Sequence, residues 1–315
     1  MIRRRTLLST LAVAAIAPAS AFGQSLAIRM GTAVEGSGFH AYGVALIDAL
    51  KGVDPILEIK VEQTNGVTEN ARQLQAGEFD MGLVSGEVMH EWRTANPQAP
   101  PLKIVSAVNS APGMFCVRAD SRYRAIADLK GRPVVWGPRS AGAAVQARYV
   151  MDGMGLDMDR DFQANYPETF ADGPQMVLDG RAAAIWGSGL RWPGFVEIAS
   201  RPLGARFIVP NEEEIARVRG KYPFLDKLTV PAGLYPGQYD PLGTVGAWSF
   251  ILARPDLDES VGYRMAVALH KVERSGGLAR QITQTTVRNT LAAIKSTDEL
   301  QPGVLRYYRE IKLVK

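Results

Sequence analysis

Cysteine is almost missing: Cys116 is the only one in 315 residues. No intrachain disulfide can form, and a four-thiolate zinc or iron–sulfur centre is excluded. Histidine is nearly as scarce. His40, His90 and His270 stand far apart, and there is no HExxH, no GxSxG elbow and no meaningful Cys–His spacing, so neither an enzyme nor a metal site is expected. No cofactor fingerprint survives inspection either. Charge of one sign is lacking once the first residues are set aside. The formal net charge is +4, Arg3, Arg4 and Arg5 supply three of it, and residues 24–315 carry only +1. With no Lys/Arg run elsewhere, a nucleic-acid surface is not expected. Long apolar runs are absent too: the stretch Leu7 to Ala17 has 11 residues, too few to cross a membrane. What is present, 46% hydrophobic and 22% charged residues with 31 Gly and 19 Pro, is ordinary globular composition with length for about two domains.

Basic Arg3 to Arg5, the apolar Leu7 to Ala17 and the small Ala19-Ser20-Ala21 follow one another in the order of a secretory signal. Cleavage is expected after Ala21 or Gly23. Arg4-Arg5-Thr6-Leu7-Leu8 also fits the twin-arginine pattern loosely. The mature chain is expected to be exported and soluble.

Strand-like runs at Leu26–Met30, Ile56–Gln63, Asp80–Val84, Ile104–Val108, Met114–Val117, Val134–Trp136 and Ala182–Trp186 alternate with helical patterns at Ala41–Leu50, Val67–Ala76 and Ala143–Met154. Such alternation reads as α/β with mainly parallel sheets. Asn211-Glu212-Glu213-Glu214 reads as a capping box. A weak repeat divides the chain. Gly77 is followed eight residues later by Ser85-Gly86, and Gly180 eight residues later by Ser188-Gly189. Two similarly built units explain this, although chance resemblance between βα units does too. The Pro/Gly-rich stretch Pro231 to Pro241, ahead of an apolar strand Val245–Leu252, reads as a crossing between them. Later helices present Val261, Met265, Ala268 and Leu269, then Leu305 and Tyr308, and are expected to pack on the first unit.

Two glycine-rich turns precede helices. Gly31 to Gly43 contains Gly36-x-Gly38-x-x-Ala41, but five residues separate Met30 from Gly36, which spoils dinucleotide geometry. Gly137-Pro-Arg-Ser-Ala-Gly142 has phosphate-loop spacing with Ala143-Ala144 in place of the lysine and hydroxyl, so nucleotide hydrolysis has no chemistry there. What remains is amide donors, with Arg139 and Ser140, suited to holding an anion unchanged; an ordinary turn with a solvated Arg139 is the alternative. His40 sits in the first turn as a donor rather than a base. Ser85, Ser188, Trp136 and Trp186 fall at strand ends, where open α/β sheets bind ligands. The two tryptophans either wall a ligand or fill a core. Cys116 reads as a buried thiol.

Several segments together resemble the solute receptors of the TAXI branch of tripartite ATP-independent periplasmic (TRAP) transporters. They are Gly31-Thr32 with Ser37-Gly38 and Tyr42-Gly43; Gln63-Thr64-Asn65-Gly66-Val67-Thr68-Glu69-Asn70; Leu74 to Val84; Val117 to Ser121; Ala127 to Val134; Val230 to Gln238; and the tail Pro302 to Tyr308. The resemblance implies a type II periplasmic binding protein fold, two α/β lobes joined by a hinge around a ligand cleft. It implies a periplasmic receptor that captures a small organic anion or amino acid and delivers it to integral membrane subunits, with no cofactor. Lobe I is then expected at 24–118 and 240–315, lobe II at 119–239, and the leader at 1–23. Carried onto matching positions, the resemblance assigns the ligand to Ser37, Gly38, Phe39 and Tyr42; Thr64, Asn65, Gly66, Val67 and Asn70; Ser85; and Arg139, Ser140, Ala141 and Gly142. The chain departs from the family pattern at Ala33 to Gly38, Asn65-Gly66-Val67 and Ser85-Gly86-Glu87, so glutamate is not transferred as its ligand. Two alternatives keep the fold: a ligand presenter for a membrane kinase, and an enzyme built on the same two lobes.

Overall fold

The computed structural model describes residues 26–35, 37–139, 141–169 and 171–315. In chain order they form β1 (Leu26–Gly31), α1 (Gly38–Lys51), β2 (Leu57–Glu62), α2 (Val67–Gln75), β3 (Met81–Ser85), α3 (Gly86–Ala95) and β4 (Lys103–Arg118). Next come β5 (Pro133–Val135), α4 (Gly142–Gly153), β6 (Gln163–Asn165), α5 (Gly173–Leu178), β7 (Ala184–Ser188), α6 (Pro193–Ala199) and β8 (Ala205–Ile208). The chain ends with α7 (Glu212–Lys221), β9 (Asp226–Val230), β10 (Leu242–Ala253), α8 (Glu259–Arg274), α9 (Val287–Ala293) and α10 (Pro302–Glu310).

The strands lie in the order β2-β1-β3-β10-β4-β7-β5-β6, with β8 on β4 and β9 on β10. β1 is parallel to β2 and β3, and β5 is parallel to β6 and β7. β10 runs antiparallel to β3, β4 and β9, and β4 antiparallel to β7 and β8. The expected α/β architecture is therefore present, with two antiparallel strands at its centre. One buried cluster draws on residues from Ile28 to Val108 and from Phe250 to Tyr308. Two further clusters draw on Met114 to Ala247. β4 and β10 change cluster between Val108 and Met114 and between Ala247 and Phe250, so both strands belong to both lobes.

The helices follow their amphipathic spacing. α1 buries Tyr42, Leu46 and Leu50 four residues apart. α8 buries Val261, Met265, Ala268 and Leu269 on the first cluster, and Tyr308 of α10 joins them. The Asn211–Glu214 capping box has both of its bonds, at 2.9 and 2.8 Å. Elsewhere the structure differs from the sequence pattern. The two expected strands Ile104–Val108 and Met114–Val117 are one 16-residue strand. Pro112-Gly113, a turn signal in most chains, instead lies inside the ladder opposite Gly246. Proline is tolerated because its carbonyl, not a missing N–H, serves the next contact, accepting from Gly189 N at 3.1 Å. Glycine is needed beside it: a Cβ on Gly113 would lie 2.4 Å from both Gln146 and Trp186, and one on Gly246 2.1 Å from the Ala111 carbonyl. The Pro231–Pro241 stretch is not a crossing but the loop joining antiparallel β9 and β10. Gln238 ties that loop together, donating to the carbonyls of Pro231 and Asp240 and accepting from Leu234 N.

Candidate functional site

α3 starts on the residue after β3 ends, and α4 starts seven residues after β5 ends. Their N-termini, from different lobes, come together: a Cβ on Gly142 would lie 3.8 Å from Ser85 Oγ. Each carries unpaired backbone N–H groups and partial positive charge. Ser85 stands at the N-cap of α3 without making a cap bond. Ser37 does cap α1, accepting from His40 N at 3.2 Å.

Gln146, fully buried one turn into α4, joins the lobes. Its Nε2 donates to Glu87 Oε1 at 3.0 Å and to the Ala111 carbonyl at 2.7 Å. Because both partners accept, the amide orientation is fixed. Its Oε1 has no partner, nor do Trp136 Nε1, Trp186 Nε1 and His40 Nδ1. Ser85 Oγ lies beside the Glu87 carboxyl without a hydrogen bond of ordinary geometry. Buried polar groups left unpaired are uncommon, and two of those among the described residues, Ser85 Oγ and Gln146 Oε1, stand at this junction. Glu87 is only 2% exposed. Burial pushes its carboxyl above the ordinary range, against bonds from its own N–H and Gln146.

Trp136 and Trp186 are both fully buried with Phe115, their ring centroids 5.4 and 4.9 Å from it and 6.4 Å from each other. Their ring faces fill the core of lobe II, and only the indole N–H groups are left over. Ser188 is half-buried in the β4–β7 ladder opposite Gly113.

Several residues that the family resemblance assigns to the ligand serve the scaffold. Asn70 Nδ2 donates to the carbonyls of Thr32 at 2.7 Å and Leu83 at 2.8 Å, tying β1 to β3. The Thr64 hydroxyl sits 2.8 Å from Asn70 Oδ1 and accepts from Gly66 N. Tyr42 OH meets Thr285 Oγ1 at 2.8 Å in the interior. Asn65 is exposed and bonds Glu69. Phe39 packs against the first cluster. Gly38 and Val67 open α1 and α2, and Ala141 caps α4 with its backbone. Ser140 lies outside the described residues.

Arg139 is placed elsewhere. Its guanidinium meets both oxygens of Asp159, at 3.4 and 3.2 Å, and lies 3.6 Å from the centroid of Tyr166. It holds the Asp159 carboxyl below the ordinary range. The pair borders a cavity of about 650 Å³ on α4 and α7, shared with Arg148, Tyr149, Lys221 and Tyr222. Gln146 and Gly113 escaped sequence reasoning, although an amide between Val145 and Ala147 on an apolar helix face is a signal that could have marked Gln146. Among the described residues no three His, Cys, Asp or Glu are grouped to hold a metal ion.

A model of the NMT1-like family matches residues 30–311. The chain belongs to the NMT1-like family. The structure also resembles the periplasmic aliphatic sulphonate binding protein SsuA from Escherichia coli, with a TM-score of 0.52 at 18% identity, covering 90% of this chain and 82% of that one. A putative sulfonate ABC transporter periplasmic binding protein, SsuA from Methylobacillus flagellatus KT, gives 0.51 at 12% identity, covering 92% and 88%. At these identities the likeness establishes the fold: this NMT1-like chain has the two-lobed architecture of periplasmic binding proteins. No helix among its described residues is long and apolar enough to cross a membrane.

Proposed function

We propose that the chain is an extracytoplasmic solute receptor, freed of residues 1–23, whose lobes close on a small organic anion or amino acid and release it unchanged. The hinge in this reading is the middle of β4 and β10, around Pro112-Gly113 and Gly246. The recipient is the membrane part of a TRAP transporter, as the TAXI resemblance implies. The observation that carries the reading is the meeting of the α3 and α4 N-termini beside the buried, unpaired Ser85 hydroxyl, a setting suited to an acceptor-rich solute. The sulphonate-binding neighbours add sulfonates to the classes worth testing.

In this reading the anion is held by helix N–H groups, with the Ser85 hydroxyl as a further donor. Arg139, committed to Asp159 and Tyr166, stays outside. The test is a thermal-shift screen of carboxylates, sulfonates and amino acids, followed by mass spectrometry of the recovered compound. A ligand at 100 times its Kd adds about 2.7 kcal/mol to stability. No shift with any class discards the receptor; recovery of an altered compound makes the protein an enzyme. With a ligand in hand, Arg139→Ala is expected to leave affinity within about twofold, because no contact to the ligand is lost.

A further inference from the structure

Glu87 is a buried carboxyl at the contact between lobes, and among the described residues no cation pairs with it. Its surroundings are uncharged on nearly every side. Across from it α4 offers the Gln146 amide, and β3 offers the Ser85 hydroxyl. β10 contributes Ala247 and the Trp248 backbone, packed on Gly86. α2 meets the far end of α3 through Gln75 and Trp92. Glu91, on its own helix, acts on it as a like charge. Glu91 is in turn held by Arg148 and by the Tyr149 hydroxyl at 3.2 Å. His90 stacks on Phe224 with centroids 4.1 Å apart, and burial holds its pKa below the ordinary histidine value. An ionised carboxyl kept from water without a cation is strongly disfavoured.

We propose that bringing the two lobes together takes up one proton at Glu87, which is neutral where Gln146 covers it and ionised where the lobes part. Separation removes the α4 cover and returns the first turn of α3 to water. The proposal rests on the hinged reading above, yet it concerns the shape of the chain without any solute. The sign follows from linkage. The compact form holds its proton to higher pH than the open form, so the compact-to-open ratio is greatest in acid. It falls as pH rises above the ordinary carboxylate range, by at most about tenfold per pH unit for a single proton.

Small-angle scattering of the mature chain without solute, from pH 8 to pH 5, tests this on the wild type, Glu87→Gln and Glu91→Gln. The wild type is expected to become more compact as pH falls. Glu87→Gln should be compact and unresponsive throughout, and Glu91→Gln should follow the wild type. A wild type that does not change, or a Glu87→Gln that tracks it, overturns the proposal. If Glu87→Gln does not fold, the 13C titration of the Glu87 carboxyl decides, and a midpoint at or below the ordinary carboxylate range overturns it. A flat scattering series with solute binding intact removes the proton coupling alone, whereas failure of the solute screen removes the receptor reading.

Discussion

Ser85-Gly86 at the end of β3 and Ser188-Gly189 at the end of β7 are the same dipeptide, each eight residues after a helix-ending glycine, yet the chain leaves them differently. After Ser85 the backbone enters α3 at once, and Gly86 keeps an ordinary conformation in a crowded place: a Cβ there would lie 2.9 Å from both Ala247 and the Trp248 carbonyl. After Ser188 the chain turns. Gly189 has φ +104° with nothing within 4 Å of a Cβ, and its N–H donates to Pro112 before α6 begins. One glycine is required for closeness, the other for conformation. The first joint thereby lets α3 approach β10 and carry Glu87 to the other lobe; the second steers the chain around the waist of β4.

Substitutions break that contrast in order of size. Trp186→Ala, two residues ahead of the second joint, should cost about 3–5 kcal/mol in urea unfolding, since a fully buried ring packed on Phe115 is lost. Gly86→Ala should cost about 2 kcal/mol, because two elements must move apart, and should loosen the contact between lobes seen by scattering. Gly189→Ala should cost about 1–2 kcal/mol from backbone strain alone and leave lobe contact unchanged. Equal losses for both glycines, with equal effects on shape, would erase the distinction. Ser85→Ala should fall within about 0.5 kcal/mol, as no cap bond is lost, whereas Ser37→Ala should cost about 1 kcal/mol for a cap that is made.

The alternation of strands and helices was readable because it depends on local periodicity, and so were the Asn211 box and the buried face of α8. The short strands β6 and β8 were not, since three or four residues hold no period. β4 reads as two pieces because Pro112-Gly113 is locally a turn, whereas in the fold its pairing with β10 and β7 carries it through as one strand. At the site, sequence marks the strand-to-helix joints but not the partners that their side chains find within the chain. Thr64, Asn70 and Tyr42 look like ligand groups until their partners, 32 to 243 residues away in the chain or on a neighbouring turn, are known. Arg139 looks available until Asp159 and Tyr166 are placed beside it. Gln146 gains its meaning only from Glu87, 59 residues earlier.

The course of β4 and β10 also bears on assembly during synthesis. Met114 to Ala247 is a single uninterrupted segment with buried clusters of its own, but β3 finds its second neighbour only when β10 emerges, and Tyr42 bonds a threonine 243 positions later. Distant pairings of this kind are slow to form. The amino-terminal strands must therefore wait, with one edge of β3 unmatched, until most of the polypeptide has been made.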